Sequence, residues 1–342
     1  MSPYPATDPT VTRLAQAGGI TTLYLGAGAL LPLVVEPAEP QLSLEAWAKT
    51  SREAIEQALL RHGAILFRGW NLPGPADFER SALAVYGELY SDYGDLPRAS
   101  AGEKIYESTW YPNDQMILYH NESSHLNLWP MKISFFCVTP AAKGGCTPVF
   151  DTRGVCGAID PKVLADLRTK GLLYVRNFSP GVDPTWQAFF HTEDRAKVEE
   201  TCRSAGADFE WTAGDGLRIS QKTHAVWRHP KTGEEIFFNQ IQLHHIACVD
   251  PETREALREL YSDDELPRNV YYGDGSPIPD EVIEHLGRVF EKVAVRFQWQ
   301  KGDMIMLDNM LTTHARDPFE GERKIVVAMG QMMSIEQALA AA

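Results

Sequence analysis

Short runs of strand character recur through this chain, each closed by glycine, proline or a polar turn: MKISFFCV at 131–138, TPVFD at 147–151, GLLYVRNF at 171–178, HAVWRHP at 224–230, EIFFNQIQL at 235–243, DMIMLDN at 303–309 and KIVVAMG at 324–330. They are too short for ordinary helices and rich in β-branched and aromatic residues, which favour a pleated surface. The Lys231-Thr232-Gly233 turn between two of them predicts a hairpin. Many short strands with glycine turns close into a sandwich or barrel, so a mainly β chain is expected, decorated by helices.

The helical signals are separate. Thr50 and Glu53 have capping-box spacing ahead of Ile55 and Leu59, and Gly63 offers a stop before the strand AILFRGW. A second helix is predicted from Pro75 through DFERSALAVYGELY, and Asp160-Pro161 with Gly171 brackets a third in the N-cap, N1 and C′ positions. Two more are expected over 192–206 and 280–293. With 342 residues, 44% of them hydrophobic, the chain can bury one large core. The expected organisation is a loosely ordered segment at 1–30, one domain over 31–334 with a helical insertion at about 160–295, and a tail at 335–342.

A formal net charge of -14 argues against nucleic acid and against anionic membrane surfaces, since both are gripped by lysine and arginine. The apolar stretch LYLGAGALLPLVV at 23–35 is too short to span a bilayer and contains Pro32, so a buried strand or loop is expected. Cys137, Cys146, Cys156, Cys202 and Cys248 form no Cys-x-x-Cys pair. They read as reduced thiols of a cytoplasmic protein.

The chemistry concentrates in YHNESSH at 119–125. In an extended segment the side chains at i and i+2 share a side, so His120 and Glu122 can converge while Asn121 faces away. Two histidines and one carboxylate make the facial triad suited to non-haem Fe(II), and His120 and Glu122 would supply two of the three ligands. A His-x-Glu pair alone also arises by chance. Two further features strengthen it: KGGCTPVFD presents Thr147 after the glycine pair 144–145, and GDMIMLDNMLTTHARDPFEGERKIVVAMG carries His314, a loop and Arg323 into the last strand.

With these motifs in order, the chain resembles the TauD/TfdA-type Fe(II)/2-oxoglutarate-dependent oxygenases, in the branch like the syringomycin-biosynthesis hydroxylase. The resemblance runs from about residue 31 to 330 and includes GAILFRGW, YESTWYP, PMKISFFCVTPAAKGGCTPVFDTR, WRHPKTGEEIFFNQ and the segment with His314. It implies a double-stranded β-helix (jelly-roll) core flanked by helices. It also implies that His120, Glu122 and His314 hold iron, that Arg323 and Thr147 bind the distal carboxylate of 2-oxoglutarate, and that O2 is the oxidant. Taurine-type members carry a second arginine for a sulfonate near the place of Val327, which makes a sulfonate substrate unexpected. Halogenases of this fold have Ala or Gly at the carboxylate position, so Glu122 points to hydroxylation, desaturation or cyclisation.

The resemblance further implies an amino-acid-like substrate, free or tethered to an acyl or peptidyl carrier protein, in a biosynthetic pathway. Asn121, Arg316 and Asn239 are candidates to touch it, each with a plain structural alternative. His125 is expected at the pocket rim, and His244, His245 and Cys248 lack the second ligand pair of a zinc site. The residues themselves leave open a non-catalytic jelly-roll metal-binding protein and a Zn(II) hydrolase using the same three ligands.

Overall fold

The computed structural model describes residues 8–25, 30–90, 104–107, 111–178 and 185–341. The larger of two facing sheets has seven strands in the order Ile20–Tyr24, Leu33–Pro37, Ala64–Phe67, Met304–Asp308, Leu128–Thr139, Lys324–Ser334 and Tyr106–Glu107. All neighbours are antiparallel except Leu33–Pro37 with Ala64–Phe67. The smaller sheet runs Ile117–His120, Thr312–Arg316, Val149–Asp151.

Alternation along the strands separates two cores. Ile133, Phe135 and Cys137, with Ile305, Leu307, Ile325 and Val327, project between the sheets and meet Val149, Phe297 and Trp299. The opposite face places Phe136, Met304, Met306, Val326 and Ala328 against helices Leu44–His62 and Pro75–Tyr86. This is the jelly-roll layering, with both faces of the large sheet buried and the small sheet closing over one of them.

The Lys231–Gly233 turn joins antiparallel strands Val226–Arg228 and Glu235–Phe237, as predicted. Helices Pro161–Lys170 and Asp280–Val293 also stand where their signals lie. The other helix boundaries move. Ser43, not Thr50, caps the first helix on the Ala46 amide, because the apolar stripe already begins at Leu44 and Trp47; Thr50 lies inside it and bonds to the Trp47 carbonyl. The second stops at Tyr86, where Gly87 takes the left-handed conformation, and the helix expected over 192–206 spans Arg195–Ser204.

The N-terminal segment is not loose over its described residues. Helix Pro9–Gln16 buries Leu14, and Ile20–Tyr24 adds an edge strand. Residues 1–7 and 26–29 of that segment, and 108–110 of the YESTWYP motif, lie outside the described residues. The tail forms helix Ile335–Ala341. The region expected as a helical insertion also holds a four-stranded sheet, Asp208–Thr212, Gly216–Thr223, Leu172–Phe178 and Arg268–Tyr272. No described helix is long and apolar enough to cross a membrane.

Candidate active site

His314 and His120 are cross-strand partners in the small sheet, and their ring centroids lie 4.2 Å apart. Antiparallel pairing therefore brings together two histidines far apart in sequence. Glu122 completes the group: one ligand atom from each of His120, Glu122 and His314 lies within 4.8 Å of the others, and among the described residues these alone form such a group.

Glu122 does not reach this point by continuing the strand. The strand ends at His120, and the chain turns through 121–124 with Ser123 at φ 56°. Asn309 enforces the turn. Its Oδ1 accepts from the Glu122 amide at 2.8 Å, while its Nδ2 donates to the carbonyls of Glu122 at 2.9 Å and Pro130 at 2.8 Å. Sequence reasoning missed Asn309; its signal was the DN pair closing DMIMLDN, a polar dipeptide at the end of a buried strand.

The imidazoles are prepared for a cation. The His120 Nδ1 lies 2.7 Å from the Leu118 carbonyl, which can only accept, so Nδ1 carries the proton and Nε2 is left with its lone pair. His314 Nδ1 is buried and bonds to nothing among the described residues. Burial holds both rings below the usual histidine range; Glu122 and the Leu118 carbonyl partly offset this for His120, and His120 lowers His314 further. Two neutral imidazoles and a carboxylate, with an orphaned buried nitrogen, fit a divalent metal.

A second polar cluster sits beside them. Val149 pairs with His314, so Thr147, two residues earlier on the same strand path, lies on the side of the sheet that carries His314. The buried Thr147 hydroxyl accepts from Trp299 Nε1 at 3.1 Å and from an Arg323 guanidinium nitrogen at 3.4 Å. Arg323 Nε donates to the Gly145 carbonyl, and the guanidinium lies over the Phe319 ring at 5.6 Å. Burial, and then Arg316, hold Arg323 down at about 10, and no carboxylate among the described residues forms an ion pair with it. A fixed, half-buried cation beside a hydroxyl fits the free carboxylate of a keto acid.

The side chains expected to touch substrate also make hydrogen bonds within the chain. Asn121 is buried, and its amide donates to the Asn309 and Thr312 carbonyls and accepts from Thr313. Asn239 donates to the Ala225 carbonyl and accepts from the Ile241 amide. Arg316 grips the carbonyls of Tyr111, Pro112 and Gln115. These bonds tie the segments around the site to one another. His125 packs against Tyr174 and His244, with centroids 5.8 and 4.9 Å away. His245 bonds to the Ile278 carbonyl, so HHIAC is packing and capping rather than a zinc site.

Comparison with known proteins agrees with this geometry. Residues 29–329 match the family described as "Taurine catabolism dioxygenase TauD, TfdA family". The dapdiamide synthesis protein DdaC of Enterobacter agglomerans is 38% identical over 280 residues, covering 82% of this chain and 85% of that protein. A clavaminate synthase-like protein of Arabidopsis thaliana is 27% identical over 318 residues, 87% of this chain and 93% of that one. Among solved structures, PvcB of Pseudomonas aeruginosa superposes with TM-score 0.57 at 14% identity, covering 96% of this chain and 94% of that one. A taurine dioxygenase of Burkholderia xenovorans gives 0.53 at 16% identity, covering 94% and 93%. Family membership sets aside the non-catalytic and zinc-hydrolase alternatives: the chain belongs to the TauD/TfdA family and is an Fe(II)/2-oxoglutarate-dependent dioxygenase.

Proposed function

We propose that the chain hydroxylates an unactivated C–H bond of an amino-acid-like substrate, free or carried on an acyl or peptidyl carrier protein, in a biosynthetic pathway, with residues 31–334 acting as one oxygenase domain. His120, Glu122 and His314 are the iron ligands in this reading, and the observation that carries it is their convergence within 4.8 Å beside the Arg323–Thr147 pair. Bound Fe(II) and 2-oxoglutarate supply the oxidising power of the family, the keto acid leaving as succinate and CO2 as one atom of O2 enters the substrate.

The residues of the chain bind, aim and shield. Arg323 and Thr147 anchor the far carboxylate of 2-oxoglutarate, which fixes the end of that molecule away from the metal. The Leu118 carbonyl keeps the His120 ring in the tautomer whose Nε2 lone pair would be free to hold the metal. Phe135, 5.0 Å from the His314 ring between centroids, walls the site on the large-sheet side and keeps water from it. Glu122 occupies a position that a halide would need, which supports oxygen insertion over halogenation.

The substrate class is supported by the likeness to DdaC, a protein named for dapdiamide synthesis. The five free cysteines support a reducing, cytoplasmic setting. The test is a panel of free and carrier-loaded amino acids, scored for substrate-dependent succinate release and product mass. A gain of one oxygen supports hydroxylation; a loss of two hydrogens replaces it with desaturation or ring closure.

A further inference from the structure

Two arginines meet at the end of the strand that carries His314. The ladder pairing His314 with Val149 runs on past it: the Ala315 amide donates to the Pro148 carbonyl and the Asp317 amide to the Cys146 carbonyl, each at 3.0 Å. Thr147 therefore stands directly opposite Arg316, in the non-hydrogen-bonded kind of antiparallel pair that brings side chains closest. His314 and Arg316, two residues apart in strand Thr312–Arg316, leave the same face of the small sheet. Arg323, just before strand Lys324–Ser334 of the large sheet, reaches the same spot and donates to the Thr147 hydroxyl at 3.4 Å. One ring serves both cations: the Phe319 centroid is 5.2 Å from the Arg316 guanidinium and 5.6 Å from that of Arg323.

Among the described residues neither arginine forms an ion pair. Arg316 is 8% exposed, and its terminal nitrogens donate to the carbonyls of Tyr111, Pro112 and Gln115, which are neutral. Its Nε is buried without a hydrogen-bond partner. Asp317 and Glu320, the next carboxylates along the chain, are engaged elsewhere, with Arg296 at 3.0 Å and with Lys143 at 2.6 Å. A buried cation without a counter-charge is costly, and two beside one another repel, so the spot is built to receive an anion.

We infer that Arg316 is a second cation of the 2-oxoglutarate site, its Nε–H and the Arg323 guanidinium holding the distal carboxylate between them beside the Thr147 hydroxyl. This deepens the reading of Arg323 and Thr147 as the anchor of that carboxylate and rests on it. A carboxylate has lone pairs enough to accept from both guanidinium groups at once, and hydrogen bonds between ionised partners are the strong ones. The pair also sets specificity: a keto acid without a distal carboxylate leaves both cations unbalanced and binds weakly.

The test compares two ligands on the Fe(II)-loaded protein under anaerobic conditions, 2-oxoglutarate and pyruvate, which has the same keto-acid head and no distal carboxylate. Dissociation constants are measured by titration for the wild type, Arg316→Gln, Arg316→Lys and Arg323→Gln. Arg316→Gln is expected to weaken 2-oxoglutarate about tenfold or more and to leave pyruvate unchanged. Arg316→Lys should fall between, since it keeps the charge and loses the planar fork. Equal weakening of both ligands would show that Arg316 only ties down residues 111–115, and unchanged 2-oxoglutarate affinity would show no contact; either result overturns the inference. Circular dichroism reports folding, and if Arg316→Gln does not fold, Arg316→Lys decides by the same comparison. Arg323→Gln separates the two levels. Loss of 2-oxoglutarate selectivity there but not in the Arg316 variants removes Arg316 alone, whereas selectivity retained in Arg323→Gln removes the underlying reading as well.

Discussion

Asn309 and Glu122, separated by 187 residues, hold each other through a reciprocal pair of hydrogen bonds, Glu122 N–H to Asn309 Oδ1 and Asn309 Nδ2–H to Glu122 C=O. Because Asn309 precedes the strand of His314, this pair ties the His120–Glu122 segment and the His314 strand into one unit, and Asn121 adds the Asn309 and Thr312 carbonyls to the same clamp. Removing it by Asn309→Ala is expected to lower Fe(II) affinity by about 10–100-fold, as loss of a group that orients a metal ligand does. Asn309→Asp keeps the acceptor and loses the donor, so it should fall between. Equilibrium Fe(II) titration checks this; unchanged affinity in Asn309→Ala would remove the clamp from the account.

Arg323 contacts the Gly145 carbonyl and Thr147 but has no carboxylate partner within the described chain. Arg323→Gln should raise the 2-oxoglutarate KM about 10–100-fold while leaving Fe(II) binding in place, the scale of hydrogen bonds to a charged group. Arg323→Lys should recover only part, because an ammonium cannot match the two-pronged grip. Steady-state kinetics against 2-oxoglutarate, with iron binding measured in parallel, separates this role from a general loss of structure.

Gly145 shapes the same corner. It has φ 66°, and a Cβ there would lie 3.0 Å from Arg323 Cδ and 3.1 Å from Phe319 Cβ. Gly145→Ala is expected to cost about 1–2 kcal/mol in stability from the left-handed backbone alone and to weaken 2-oxoglutarate binding by displacing Arg323. Urea unfolding and the 2-oxoglutarate KM report the two effects.

A buried ion pair supports the turn before His314. Lys132 Nζ lies 2.8 Å from Asp308, both almost wholly buried, and the other Asp308 oxygen accepts from the Met310 and Leu311 amides. Burial raises the Asp308 carboxyl, yet Lys132 and His229 outweigh it and hold the group well below the usual carboxylate range. A carboxyl with a lowered folded value contributes stability above its unfolded value near ~3.9 and loses it progressively as pH falls below that. Asp308→Ala should destabilise the fold at neutral pH by up to about 3–5 kcal/mol, because buried Lys132 then keeps only Glu56, 3.5 Å away, as an ionic partner. The pH dependence of unfolding below about 4 should be flatter in Asp308→Asn than in the wild type.

Much of this was legible before folding, and the reasons are local. Strand runs, the Gly63 and Gly171 stops and the hairpin at 231–233 are read from residues adjacent in sequence, and the histidines and Arg323 stand in order within dense motifs. What was not legible depends on contacts between distant segments. The turn at 121–124 exists because Asn309 holds it, and nothing within YHNESSH announces that. Asn121, Asn239 and Arg316 were expected at the substrate because polar side chains beside ligands suggest it; the carbonyls they satisfy come from other segments. The strands among residues 208–223 alternate weakly and were hidden by the helical signals around them.

The central claim is that His120, Glu122 and His314 bind one ferrous ion to which 2-oxoglutarate then adds. Anaerobic titration of the metal-free protein with Fe(II) in the presence of 2-oxoglutarate, followed by visible absorption, tests it most directly. One equivalent of iron should bring up a weak charge-transfer band in the wild type that is absent in His120→Ala and His314→Ala. A band of undiminished intensity in those variants, or none in the wild type, would contradict the assignment.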